Sequence, residues 1–302
     1  MGAEERSDLT FSVLLRDPAT GEIGAGVASR FLAAGALVLH ARADSGAVAT
    51  QALVNVSFGP NGLRLLEQGL AADEVAARLI GEDELPERRQ LAVLDRGGRS
   101  AAHTGTGCQP TAHQLVGPGF AALGNVLTGI EVVQNMAEAL ATHVSGTPMA
   151  PTILAALHAG NAAGGDRRGR QSAAVLVVRA GGGYGGTTDR VVDLRVDDHV
   201  DPIPELGRLL ALHTAIFTRP DEADLVPLEG EVRTEVSGLL RSVAEEPFDG
   251  ADDDQLWQAL DSWAGRENLE ERLIRPRSVD PVLVQALRRA ANEKMARETS
   301  AT

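Results

Sequence analysis

TFSVLLRDPATGEIGAGVAS, residues 10–29, sets the reading of everything around it. Thr10 to Arg16 is an apolar run rich in β-favouring residues, and Ile23 to Ser29 is a second run, of small residues. Asp17-Pro18-Ala19-Thr20-Gly21-Glu22 between them is turn chemistry, with Pro and Gly at the punctuating positions. The stretch therefore predicts an antiparallel hairpin at the start of the fold.

Working outward, short strands are expected near Leu37 to Ala43 and Gly46 to Ala52. The period then changes. NGLRLLEQGL (61–70) and ADEVAARLIG (72–81) carry apolar residues three and four apart, which predicts helices. Gln90 to Asp95 and Arg99 to Thr104 form another hairpin, around Arg96-Gly97-Gly98. A strand near Phe120 leads to helices over Ile130 to His143 and Pro151 to Ala163. Strands return at Ser172 to Arg179 and Arg190 to Val196, about the turn AGGGYGG. Runs of hairpin strands separated by runs of helix favour a layered α+β sandwich over alternating βαβ units. From Pro202 the chain turns helical, with Leu206 to Phe217 leading into the linker Thr218-Arg219-Pro220-Asp221. Three or four short amphipathic helices follow, one carrying Trp257 and Trp263, which predicts a small helical domain over 219–302.

Composition narrows the function classes. Apolar residues make up 43% of the 302 residues but aromatics only 3%, so the core must be built of Ala, Val, Leu and Ile. A net charge of −14 would repel a phosphate backbone or an anionic membrane surface, so neither nucleic acid nor membrane is an expected partner. Lys294 is the only lysine, which excludes a lysine nucleophile or Schiff base from the first 218 residues. Cys108 is the only cysteine, so no disulfide can form within the chain. Residues 1–9 lack the charged and apolar regions of a signal peptide and are read as a short leader; no apolar run reaches membrane-spanning length. The expected location is cytoplasmic.

Several stretches belong together: Thr10-Phe11-Ser12-Val13; Ser29-Arg30-Phe31; Ala49-Thr50-Gln51-Ala52 with Asn55 and Gly59; Ala102-His103-Thr104-Gly105; Gly124-Asn125; GGDRRGRQSAA (164–174); Gly181 to Gly186; and Arg195-Val196-Asp197-Asp198-His199. In this order they resemble the bacterial and archaeal family called domain of unknown function 1028, over roughly residues 10–217. Val226-Pro227-Leu228, Glu267-Asn268-Leu269-Glu270-Glu271-Arg272 and Asp280-Pro281 resemble the peptidoglycan-binding-like region that accompanies some members. The resemblance implies a four-layer αββα sandwich of the N-terminal-nucleophile (Ntn) hydrolase kind over 10–218, followed by the helical domain.

In that arrangement Thr10 would be the nucleophile, with its own α-amine as base. Nine residues precede it, and an acylated nitrogen cannot take a proton. Catalysis therefore requires cleavage at Leu9–Thr10, or translation that starts at codon 9 so that removal of the initiator methionine exposes Thr10; otherwise Thr10 is an ordinary β-branched strand residue. Arg30, or Arg42, is a candidate to sit near Thr10, and either could equally be a strand-end arginine. Gln51 and Asn55 are candidate amide donors to an oxyanion or a substrate. Asp166, Arg167, Arg168 and Arg170 form a polar loop able to grip a carboxylate, or a structural ion-pair cluster.

His103, Cys108 and His113 do not have a recognised zinc spacing, and Asp197-Asp198-His199 reads as readily as a polar strand end; no metal and no cofactor is expected. Gly181 to Gly186 lacks the G-K-[ST] ending of a phosphate loop, and no G-x-S-x-G elbow occurs. The sequence thus predicts a hydrolase of a small amide or peptide-like substrate, with a small-molecule partner and a homo-oligomeric state. The alternative is a non-catalytic ligand-binding or cell-wall-associated protein on the same fold.

Overall fold

A computed structural model describes residues 10–108, 111–243 and 252–300. The leader expected over 1–9 lies outside the described residues. Thr10–Arg16 (β1) and Ile23–Ser29 (β2) pair antiparallel along their whole length, Thr10 opposite Ser29 and Arg16 opposite Ile23. The turn between them is closed by Asp17, whose Oδ1 accepts from the Ala19 N–H at 2.8 Å, and by Gly21 at φ 71°. Along β1 the side chains alternate: Phe11, Val13 and Leu15 enter one core, and Leu14 enters another on the opposite face.

The chain continues through α1 (Ala34–Val38), β3 (Leu39–Arg42), β4 (Gly46–Ala52), α2 (Phe58–Glu67), α3 (Ala72–Gly81), β5 (Arg89–Asp95) and β6 (Ser100–Thr104). It then forms β7 (His113–Gly117), β8 (Phe120–Asn125), α4 (Glu131–Ala141), α5 (Met149–Ala162), β9 (Ser172–Val178), β10 (Arg190–Val196) and α6 (Pro202–Phe217). Two sheets result, one ordered β10-β9-β2-β1-β8-β7 and the other β3-β4-β5-β6, with every neighbouring pair antiparallel. A mixed α/β fold with antiparallel sheets is thus established.

Three cores accompany the sheets. Leu14, Ile23, Val27, Leu123 and Leu176 of the larger sheet cluster with Ala47, Ala49, Ala92 and Leu94 of the smaller one. Phe11, Val13 and Val175 of the larger sheet cluster with Val133, Met136 and Leu140 of α4 and Ile153 and Leu157 of α5. Val48, Leu91 and Val93 of the smaller sheet cluster with Leu63 and Leu66 of α2 and Val75 and Leu79 of α3. Helix α5 seats on β2 because that strand carries glycines: a Cβ on Gly26 would stand 2.4 Å from Ile153 Cγ2.

Residues 34–38 correct the expected strand from Leu37 to Ala43. They form the short helix α1, and only Leu39–Arg42 is extended. Helix α1 is held from outside: the Ala34 N–H donates to Ser172 Oγ at 3.1 Å, and Gly35 lies so close to β9 that a Cβ would meet that of Ala174 at 2.4 Å. β7, which pairs with β8, was not read from the sequence.

The chain divides into two compact units, Met1–Leu210 and Ala211–Thr302, so α6 runs through the junction. The second unit contains β11 (Val226–Pro227), α7 (Gly230–Val243), α8 (Asp253–Arg266), β12 (Ser278–Val279) and α9 (Pro281–Ser300). Trp263 of α8 centres its core with Leu240, Leu256, Leu260 and Leu287. Beside this core the buried Arg272 pairs with Asp280 and donates to the carbonyls of Thr214, Ala215 and Thr218. Among the described residues no helix is long and apolar enough to cross a membrane.

Candidate functional site

Two rows of polar residues face each other where the sheets meet. In the larger sheet, Ser172 is the register partner of Ser29, Ser29 of Thr10, and Thr10 of Asn125, so four adjacent strands each present a hydroxyl or an amide. In the smaller sheet, Gln51 pairs with Gln90, and Gln90 with Thr104. Register partners point to the same side of a sheet, which makes each row continuous. Burial of so many polar atoms costs free energy unless they bond one another.

They do bond, both within each sheet and across the two. Thr10 Oγ1 and Ser29 Oγ share a hydrogen bond at 3.1 Å. Gln51 Nε2 donates to the Thr10 carbonyl at 3.2 Å and to Gln90 Oε1 at 2.7 Å, and Gln51 Oε1 accepts from Ser12 Oγ at 2.6 Å. Gln90 Nε2 lies within hydrogen-bonding distance of Thr104 Oγ1, the His113 carbonyl and the Gly124 carbonyl. Asn125 Nδ2 donates to Gln90 Oε1 at 3.0 Å, while Asn125 Oδ1 is buried with no hydrogen-bond partner. That oxygen is an acceptor next to Thr10 in need of a donor.

Thr10 is 2% exposed and lines a cavity with Phe31, Ala34, Leu37, Val38, Gln51, Ala52 and Val54. The cavity measures about 10 Å³, room for about one water molecule. Ala52, which lines it, Ala33, next to the lining residue Ala34, and Val126, which follows Asn125, hold left-handed backbone at φ 66°, 51° and 50°. A β-branched valine there is strained, and such strain collects at functional sites.

The Asp166–Arg170 loop reaches the same strand ends. Asp166 is buried; its Oδ2 accepts from the Arg30 N–H at 2.8 Å and from Arg168 Nη2 at 3.3 Å, and Asp166 pairs with Leu127 through an isolated bridge. Arg30 donates to the Arg170 carbonyl at 2.8 Å, Arg167 to the Leu127 carbonyl at 3.4 Å, and Arg170 bonds Asp201 at 2.7 Å. Asp166 is thus the clasp of the loop, and the exposed guanidiniums carry its positive charge.

Other candidates are engaged elsewhere. Asn55 Nδ2 donates to Asp83 Oδ2 at 2.7 Å and its Oδ1 accepts from Ser57, so Asn55 shapes its own loop. Burial raises the Asp83 carboxyl, but hydrogen bonds from Arg89 and Asn55 hold it below the usual carboxylate range. Arg42 pairs with Glu67 at 2.8 Å. His103 bonds the Pro86 carbonyl, and burial pushes the Cys108 thiol up. Asp198 accepts from Gln171 and His199 from the Asp201 N–H. Among the described residues no three His, Cys, Asp or Glu side chains gather as metal ligands.

Ser12, Gln90 and Asn125 were missed as site residues. Ser12 and Asn125 stand in the family-like stretches and lie beside Thr10 in the larger sheet, whereas Gln90 carries no motif and only the facing of the two sheets brings it into the network.

The fold and the site together define an α+β protein of two antiparallel sheets with a buried hydroxyl–amide network at one end of the inter-sheet space. The chain belongs to the family described as "Family of unknown function (DUF1028)", which matches residues 10–206. Residues 216–287 match the family described as "Putative peptidoglycan binding domain". A DUF1028 protein of known structure from Silicibacter pomeroyi is 30% identical, covers 75% of this chain and 92% of its own, and superposes with a TM-score of 0.61. Anbu, the ancestral beta-subunit from Yersinia bercovieri, aligns over 70% of this chain and 99% of its own at 12% identity with a TM-score of 0.32, too low to carry an argument. No curated protein matches the chain significantly.

Proposed function

We propose that this chain is an Ntn-type hydrolase of a small amide or peptide-like substrate, built as a four-layer αββα sandwich, with Thr10 as nucleophile. The observation that carries this reading is the position of Thr10. It opens β1, stands in the middle of a four-strand polar row, shares a hydrogen bond with Ser29, and has its carbonyl held by Gln51. The family match begins at the same residue.

Thr10 Oγ1 attacks the substrate carbonyl while its proton passes to the Thr10 α-amine. A free α-amine titrates near about 7.7 to 8.0, so a substantial fraction is neutral at physiological pH. The amine then protonates the leaving nitrogen, the C–N bond breaks, and water hydrolyses the ester left on Thr10. Asn125 Oδ1, the unpaired acceptor on the adjacent strand, receives an N–H of that amine. Gln51 is a positioning residue, because both its amide atoms are already engaged. Arg30 and the Asp166–Arg170 loop attract an anionic end of the substrate. The one-water cavity requires the covering residues Phe31, Leu37 and Val54 to shift for a substrate to enter. A small-molecule substrate, a cytoplasmic location and a homo-oligomeric state belong to this reading.

The experiment is N-terminal sequencing of active protein together with Thr10→Ala. Expected are a mature chain beginning at Thr10 and turnover of a small-amide panel that the substitution abolishes. Turnover surviving Thr10→Ala would overturn the reading.

A second reading, a non-catalytic ligand-binding or cell-wall-associated protein, is favoured by the match over residues 216–287. It predicts that the full chain sediments with purified peptidoglycan and shows no amide turnover.

A further inference from the structure

A larger cavity of about 350 Å³ lies on the other side of α1. Its lining includes Gly35 of α1, His40 and Arg42 of β3, Asp189, and Arg190, Asp193 and Arg195 of β10. β3 and β10 are the edge strands of the two sheets, so the cavity is a slot between two sheet edges. A volume near 300 Å³ is already that of a small-molecule site.

The charges in the slot are not all paired. Arg42 is engaged by Glu67 and Arg190 by Asp193. Among the described residues the Arg195 guanidinium has no hydrogen-bond or ion-pair partner; its stem lies across Gly35, where a Cβ would meet Arg195 Cδ at 3.3 Å. Among the same described residues Asp189 has no cation partner, and its Oδ2 accepts from the Ala43 N–H at 3.0 Å. One unpaired cation and one unpaired anion therefore line a single cavity. A guanidinium fork binds a carboxylate through two hydrogen bonds, and a carboxylate beside it suits an ammonium. A phosphate dianion is disfavoured by Asp189 and Asp193 on the same lining.

We propose that this slot binds a zwitterion of amino-acid or dipeptide size, its carboxylate on Arg195 and its ammonium on Asp189. The site stands apart from Thr10 and does not depend on Thr10 being a nucleophile. Helix α1 walls both cavities: Ala34, Leu37 and Val38 line the one at Thr10, and Gly35 and Ala36 line the slot.

The test is calorimetric titration of the full chain with the common amino acids and glycylglycine. Glycylglycinamide, which lacks the carboxylate, and N-acetylglycylglycine, which lacks the ammonium, serve as matched controls. At least one zwitterion is expected to saturate the protein, with removal of either charge weakening binding by at least about tenfold. Arg195→Gln should weaken it as much. Asp189→Asn, which keeps the bond from Ala43, should abolish the preference for an ammonium. Melting curves check that both variants are folded. Absence of saturable binding by every zwitterion overturns the proposal, as does equal affinity in folded Arg195→Gln. Neither result bears on Thr10, whose test is turnover.

Discussion

Gln90 is fully buried and ties the Gly124 and His113 carbonyls, Thr104, Gln51 and Asn125 into one network. Gln90→Leu would strand several of these groups, at about 1–3 kcal/mol for each one left unpaired. The expected outcome is a large fall in the urea midpoint, and a midpoint within error of the parent would mean the network does not stabilise the fold. Asp17 predicts a pH dependence. Burial raises its carboxyl, but hydrogen bonds from Ser145 at 2.5 Å, Gly146 at 2.7 Å and Ala19 at 2.8 Å outweigh that and hold it well below the usual carboxylate range. His143 Nε2, 3.6 Å away, faces the same carboxylate. A folded-state value below the unfolded one gives stability that is complete above about pH 4 and is lost as pH falls toward the folded value. Asp17→Asn should therefore lower stability at neutral pH and flatten the acid limb of a urea-midpoint profile; an unchanged limb would contradict this.

At the scale of elements, the seating of α1 and α5 depends on glycine. Gly26→Ala drives a methyl into Ile153, and overpacking of this kind costs about 1–3 kcal/mol, readable as a lower melting temperature. Gly35→Ala should lift α1 from Ala174 and disturb both cavities that it walls; a melting temperature equal to the parent's would show that α1 is not tightly seated. The same elements show how far a sequence can be read. The opening hairpin and the helices were legible because their periods run for seven residues or more, although the helix expected at 61–70 lies three residues earlier, at Phe58–Glu67, while the one expected at 72–81 is Ala72–Gly81. Helix α1 was not, because five residues hold too little period to outweigh the β-branched Val38 and the strand that follows it, and its shape is imposed by Ser172 and Ala174. Thr10 and Gln51 were legible through family resemblance, and they do meet. Asn55 and Arg42 looked equally eligible, but Asp83 and Glu67 hold them elsewhere. Gln90 was invisible because its role depends on which sheet faces which.

At the scale of the whole molecule, both tryptophans lie on α8 in the second unit, so tryptophan fluorescence reports that unit. The buried Arg272–Asp280 pair is its polar anchor. Arg272→Met leaves the buried Asp280 without its cation, with the Val282 N–H still donating to its Oδ1, and breaking such a pair costs about 3–5 kcal/mol. The fluorescence-detected unfolding midpoint should fall accordingly, and an unchanged midpoint would remove the anchor role. The central claim concerns one residue that supplies both a hydroxyl and a free amine. Its most direct test compares two forms of the protein, one retaining residues 1–9 and one released from a removable fusion so that it begins at Thr10, against the same panel of small amides. The account predicts turnover by the form that begins at Thr10 and none by the longer form while its extra residues remain attached; equal turnover by both, or by neither, would contradict it.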